Sequence, residues 1–137
     1  MTVKIFKVLA IYKQHNLKET LIKHGLWGLK CTKQGIILNS QLEAARKVII
    51  RLTKKMCKVW IRINCDLPIT KKAIGSRMGK GVGGFNSYIL NLKQGTIILE
   101  LFSNLIVSDL IIKRSLIIAS NKLSVSSKLY KKQIKFI

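Results

Sequence analysis

An α+β fold is what the sequence predicts: two helices packed on an antiparallel or mixed sheet, with a glycine-rich basic hairpin loop protruding from it. Three observations carry that expectation. Apolar residues recur at helical spacing in two separated stretches, after Ser40 and after Ser108. Runs such as "KVWIRINC", "FNSYILNL" and "TIILELF" are rich in β-branched and aromatic residues. The helical and strand patterns are segregated rather than alternating as βαβ units, which favours antiparallel pairing.

The 137 residues suffice for a single domain spanning 1–137, with one core and no need of disulfides. Lys and Arg number 26 against 5 Asp and Glu, a formal charge of +21, yet 48% of residues are hydrophobic. Disorder goes with low hydrophobicity, so this composition implies a folded core with a cationic exterior. Such an exterior repels itself until a polyanion neutralises it, and RNA, DNA and anionic lipid are the candidates. The cations are 21 Lys and only 5 Arg, and Ile equals Lys in number. That bias fits drift in an AT-rich genome, such as an organelle's.

Residues 1–24 form a lysine-based, weakly amphipathic segment without Arg or Ser, a poor match to a transit peptide; Lys4 and Lys7 interrupt any secretory apolar stretch. The first clear element opens at Ser40, where Ser40 and Glu43 have the spacing of a capping box. Leu42, Ala45, Ile49, Leu52 and Met56 then form the expected buried stripe, leaving Arg46, Lys47, Arg51, Lys54, Lys55 and Lys58 largely on the other faces. Exposed helix faces normally mix signs, and here only Glu43 is acidic, so a phosphate-facing role is expected.

In "KVWIRINC", Val59, Ile61 and Ile63 alternate with Trp60, Arg62 and Asn64, the pattern of a half-buried strand. Trp60 either stacks on a base or covers a sheet edge, the sequence leaving both open, and Tyr88 is the other candidate for stacking. Pro68 is expected to end this strand, and Lys71 and Lys72 lead into the glycine loop. After the loop come two strands joined by Lys93-Gln94-Gly95 as a short hairpin turn. A second helix is expected from Ser108-Asp109 to about Leu123, with Leu110, Ile111, Ile117, Ile118 and Leu123 as core candidates. Residues 124–137 hold a last strand, "SVSSKLY", and a basic tail with Lys131, Lys132 and Lys135.

Gly79, Gly81 and Gly84 have the spacing of a dinucleotide-binding turn. That turn needs a helix opening at its last glycine, and "FNSYIL" has strand character instead. Without a helix N-terminus there is no dipole to hold a pyrophosphate, so no nucleotide cofactor is expected. The stretch reads instead as a hairpin tip that carries Arg77 and Lys80 on a backbone without bulk.

The remaining chemistry is sparse. Cys31, Cys57 and Cys65 are odd in number and lack a C-x-x-C pair, and His15 and His24 stand alone, so neither a disulfide framework nor a metal site is expected. Five scattered carboxylates supply no acid–base pair, and no nucleophilic triad can be assembled, so no catalytic residue is expected. Apolar runs such as Leu105-Ile106-Val107 fall short of the roughly 20 residues a spanning helix needs.

"GLWGLK", "QLEAARKVIIR", "KVWIRINCDLPITKK" and "SRMGKGVG" occur in this order, and together they resemble the large-subunit ribosomal protein L-sixteen family of bacteria and organelles. The resemblance runs from about Gly25 to Glu100. Gly28, Leu29 and Lys30 match its first motif, Glu43, Ala44, Ala45 and Arg46 its helix motif, and Trp60, Ile61 and Arg62 its strand motif. Arg77, Met78, Gly79, Lys80, Gly81 and Gly83 match its loop motif. Val82 stands where the family carries a second loop lysine, and Ala73 where it has a proline.

The resemblance implies an α+β protein bound to large-subunit rRNA beside neighbouring ribosomal proteins. It also implies a loop pointing toward A-site and P-site tRNA near the peptidyl-transferase region. The expected rRNA-binding residues are Lys30, Arg46, Lys47, Arg51, Lys54, Lys55, Trp60, Arg62, Lys71 and Lys72; the expected tRNA-facing residues are Arg77, Met78, Gly79, Lys80, Gly81 and Gly83. With the coding bias, it places the chain in the mitochondrial matrix, organelle-encoded and in the mitochondrial large subunit. A general basic RNA- or DNA-binding protein, or one on a membrane surface, is the alternative reading.

Overall fold

Ile97, Ile98, Leu99 and Leu101 are all buried, so the strand that carries them is apolar on both faces and must be central. The computed structural model, which describes residues 20–103 and 107–133, shows how it is enclosed. The expectations for residues 1–19, Leu105, Ile106 and Lys135 lie outside the described residues.

In chain order the elements are β1 (Trp27–Cys31), β2 (Gly35–Leu38), α1 (Asn39–Leu52), β3 (Cys57–Ile61), β4 (Leu67–Lys71), β5 (Gly84–Leu92), β6 (Ile97–Ser103), α2 (Asp109–Ser120) and β7 (Ser127–Lys131). They form two antiparallel sheets, one in the order β3-β6-β1-β7 and one in the order β2-β5-β4. The helices pack against each other. α1 touches β3 of the first sheet and β2 and β5 of the second, so it bridges the two; α2 lies on β1 and β7. Ala45, Ser115 and Ala119 are fully buried, small residues suited to close helix approach. The α+β class with two helices on antiparallel sheets is therefore the observed architecture.

Several elements differ from the sequence reading. β1 and β2 have no counterpart in it. α1 begins one residue earlier than Ser40, and the side chain that reaches back is Gln41, whose Oε1 accepts from the Leu38 N–H at 3.1 Å. Glu43 turns instead to Arg46. The helix stops at Leu52 because Thr53 closes it, its Oγ1 donating to the Ile49 carbonyl at 2.9 Å. Lys54 and Lys55 then adopt left-handed backbone, φ 50° and 62°, and turn the chain toward β3. Leu52 and Met56 consequently face outward instead of completing the buried stripe.

β3 ends at Ile61, itself more than a third exposed, short of the predicted Cys65. Pro68 does not end a strand; it lies inside β4, an edge strand, where its missing N–H need not face a neighbour. Lys93-Gln94-Gly95 is a turn but not a hairpin, because β5 and β6 belong to different sheets. The Gly95 N–H donates to the Cys31 carbonyl at 2.8 Å and holds the crossing. α2 buries Ile112, Ser115, Leu116 and Ala119, while Leu110, Ile111 and Ile117 are exposed. Of the expected core residues in this stretch, Leu123 is buried, beyond the helix.

The fully buried Glu100 ties the first sheet to the segment that precedes it. Its carboxylate accepts from the backbone N–H groups of Lys23, His24 and Gly25 at 3.0, 2.7 and 3.1 Å, and from Arg62 Nη1 at 2.5 Å. Gly25 is required there, since a Cβ would lie 2.6 Å from the Leu101 carbonyl oxygen.

Candidate nucleic-acid interface

Helical spacing puts Arg46, Lys47 and Arg51 along one side of α1, and the left-handed turn swings Lys54 and Lys55 to join them. These five cations and Ile50 line an open depression of about 510 Å³. Glu43 engages Arg46 through two bonds of 2.6 and 2.9 Å, and this guanidinium holds the Glu43 carboxyl below its ordinary value. Among the described residues no ion pair joins Lys47, Arg51, Lys54 or Lys55. Four like charges around one hollow are mutually repulsive, and a bound anion relieves that repulsion.

The second basic feature is the hairpin formed by β4 and β5. The register of β2 on β5 ends at Leu38 opposite Ile89, so residues 84–88 are flanked only by β4 and the ribbon projects. Between the strands the chain passes through left-handed φ at Gly79, Lys80 and Gly81, 96°, 55° and 76°. Lys72 Nζ bonds the Gly79 carbonyl and closes the loop on itself. Gly83 packs against the backbone of Lys71 and Lys72, where a Cβ has no room. Arg77, Met78 and Lys80 are exposed at the tip. Gly84 opens a strand rather than a helix, so the glycine spacing is not that of a pyrophosphate cradle.

The other predicted residues lie apart from the α1 depression. Lys30 is on β1 with its ammonium 5.4 Å from the Tyr130 ring centroid. Trp60 is half-buried on β3, an edge strand, with its ring 5.8 Å from that of His24. Arg62 is the partner of Glu100. Lys71 and Lys72 stand at the base of the glycine loop. Burial pushes the thiols of Cys31, Cys57 and Cys65 up, so they are poor nucleophiles.

Residues 2–130 match the family model described as ribosomal protein L16p/L10e. The chain belongs to that family. Over 110 residues it is 40% identical to the large ribosomal subunit protein uL16 of Kosmotoga olearia, an alignment covering 80% of this chain and 76% of that one. The match reaches well past the Gly25–Glu100 stretch that carried the sequence resemblance. L16p/L10e proteins are structural, non-enzymatic ribosomal components, and this member is no enzyme.

Two residues of this L16p/L10e chain escaped the sequence reading. Glu100 is the carboxylate around which residues 23–25, β3 and β6 are assembled, and its signal was a lone charge inside "TIILELF": a buried charge must find partners. Phe85 lies beside Tyr88, ring centroids 5.0 Å apart. Two aromatics three residues apart in a strand would ordinarily point to opposite faces. The register shift between Ile69 and Thr70 brings them together.

Proposed function

We propose that this chain is a structural constituent of the large ribosomal subunit that binds large-subunit rRNA through the cationic hollow on α1. The observation that carries the reading is the convergence of Arg46, Lys47, Arg51, Lys54 and Lys55 on one hollow, in a chain of this ribosomal family. Phosphate contacts of this kind fix position and orientation without reading sequence. Lys30, Lys71 and Lys72 add cationic contacts away from the hollow, Trp60 contributes from β3, and Arg62 from just past its end. Arg62 does so from beside Glu100, with its guanidinium already committed on one side.

The loop of Arg77, Met78, Gly79, Lys80, Gly81 and Gly83 has a different task in this reading. It reaches toward A-site and P-site tRNA and helps shape the accommodation region near the peptidyl-transferase centre. Its exposure, its cations and the projection of the ribbon support this. Neighbouring large-subunit proteins complete the set of partners. The lysine-over-arginine bias supports a place in the mitochondrial large subunit.

Co-sedimentation tests the reading. The chain should travel with large subunits through a gradient at moderate salt, and charge-neutral substitution of Arg51, Lys54 and Lys55 together should release it. Equal affinity for random duplex DNA or anionic vesicles at the same salt would defeat it.

A further inference from the structure

Phe85 and Tyr88 are 61% and 46% exposed, in mutual contact, on the part of β5 that projects beyond β2. Single exposed apolar side chains are ordinary, but two touching rings on a projecting ribbon form a surface with a shape. Their cross-strand partners are short: Thr70 pairs with Phe85 and Pro68 with Tyr88. The ribbon, residues 67–92, carries Lys71, Lys72, Arg77 and Lys80 and no carboxylate. Aromatic faces set among uncompensated cations suit a ligand with a flat π-system joined to phosphates.

We propose that the Phe85–Tyr88 ledge is a stacking site for an unpaired RNA base, with the ribbon's cations holding the flanking phosphates. This rests on the rRNA-binding reading and adds a second mode to it. The hollow on α1 takes backbone phosphates whatever their pairing, whereas the ledge needs a base whose face is free. A duplex encloses its bases in the stack, so the ligand is a loop, bulge or frayed end. The rings are tilted by 56°, so one base can lie flat on one of them but not on both at once.

The experiment compares two RNA probes of equal charge on the full chain: a blunt duplex and a duplex interrupted by a short unpaired bulge. The wild-type chain should bind the bulged probe about tenfold more tightly, the scale of base–aromatic stacking. Phe85→Leu with Tyr88→Leu should abolish that preference while leaving duplex affinity and its salt dependence in place. Tyr88→Phe should keep the preference, because stacking needs the ring and not the hydroxyl. Ultraviolet cross-linking of the bulged probe to the wild-type chain gives an independent readout, with adducts expected on the peptide holding Phe85 and Tyr88.

Equal losses on both probes in the leucine variant would overturn the proposal. So would an unchanged preference, or adducts confined to other peptides, as expected if the ledge receives a protein. A wild-type chain that binds the duplex with strong salt dependence but shows no preference would overturn the ledge and leave the rRNA reading standing. A wild-type chain that binds neither probe would overturn both.

Discussion

Arg62 Nη1 lies 2.5 Å from Glu100 Oε1, joining the chain just past the end of β3 to the centre of β6. The same carboxylate receives three consecutive backbone N–H groups, two of them on Oε2. A basic protein has thus placed one of its few carboxylates where it organises the approach to β1.

Burial alone would raise the Glu100 carboxyl, but the bonds from Lys23, His24 and Gly25 and the charge of Arg62 outweigh it and hold the group below its ordinary value. With a depressed folded value, the stabilisation is complete above the unfolded value of about 4.3 and is lost as pH falls through the folded one. Glu100→Gln replaces one accepting oxygen with a donor that faces other donors. It should destabilise the fold by about 3 kcal/mol in urea unfolding near neutral pH. It should also reduce the loss of stability below about pH 4. Unaltered acid sensitivity in the variant would show that other carboxylates govern it.

Salt should govern RNA affinity. If six or more cations meet phosphates, affinity falls on the order of a thousandfold as salt rises from about 50 to 200 mM. Neutralising Arg51, Lys54 and Lys55 should lower the slope of log affinity against log salt by about 2 to 3. Neutralising Lys131 and Lys132 should do less, because Lys131 is already engaged with Asp109 at 2.7 Å and with the Trp27 ring at 4.7 Å. Titrations of each variant at several salt concentrations decide it, and equal slopes would make the α1 face merely solvated.

The left-handed turn after α1 separates stability from binding. Left-handed backbone costs a non-glycine residue roughly 1 kcal/mol, and Lys55 adopts it at φ 62°. Lys55→Gly should therefore leave stability unchanged or raise it by up to about 1 kcal/mol, even after the entropy a glycine adds to the unfolded chain. RNA affinity should nevertheless fall by a few-fold, since one phosphate contact is gone. Paired unfolding and binding measurements should move independently; a parallel fall in both would mean that the side chain supports the turn itself.

What the sequence made legible follows from where the pattern is one-sided. α1 has a single apolar stripe against a basic remainder, so its existence and its cations could be read directly, although Met56 fell beyond its end. α2 is apolar at nearly every phase, from Leu110 through Ile118. Only packing on β1 and β7 decides that Ile112 and Leu116 turn inward while Leu110 and Ile117 do not. β1 is buried along almost its whole length and shows no alternation, and β2 has four residues, too few to display a period. Gly95 signalled a turn correctly but could not say that the chain was changing sheets. The gathering of Lys54 and Lys55 with Arg46 rests on two positive φ values, which lysine gives no reason to expect.

The glycine loop permits the sharpest separation of anchoring from action. Arg77→Ala with Lys80→Ala removes two exposed charges that make no ion pair among the described residues, and the hollow on α1 keeps its cations. Occupancy of large subunits should stay near that of the wild type, while accommodation of tRNA or peptide-bond formation on those particles should slow. Gly81→Val forces a β-branched residue to φ 76°, a strain of about 1 to 2 kcal/mol that the exposed loop relieves by changing shape, without loss of core stability. It should slow the same step. Gly84→Ala is the control, because a Cβ there meets nothing within 4 Å. Gly83→Ala should disturb the tip from a distance, since its Cβ would collide with the Lys71 backbone beneath the loop. Sedimentation gives occupancy and rates on purified particles give function. Lost occupancy with normal rates on the complete particles would make the loop an anchor, and no change in either would leave it a solvated turn with no part in translation.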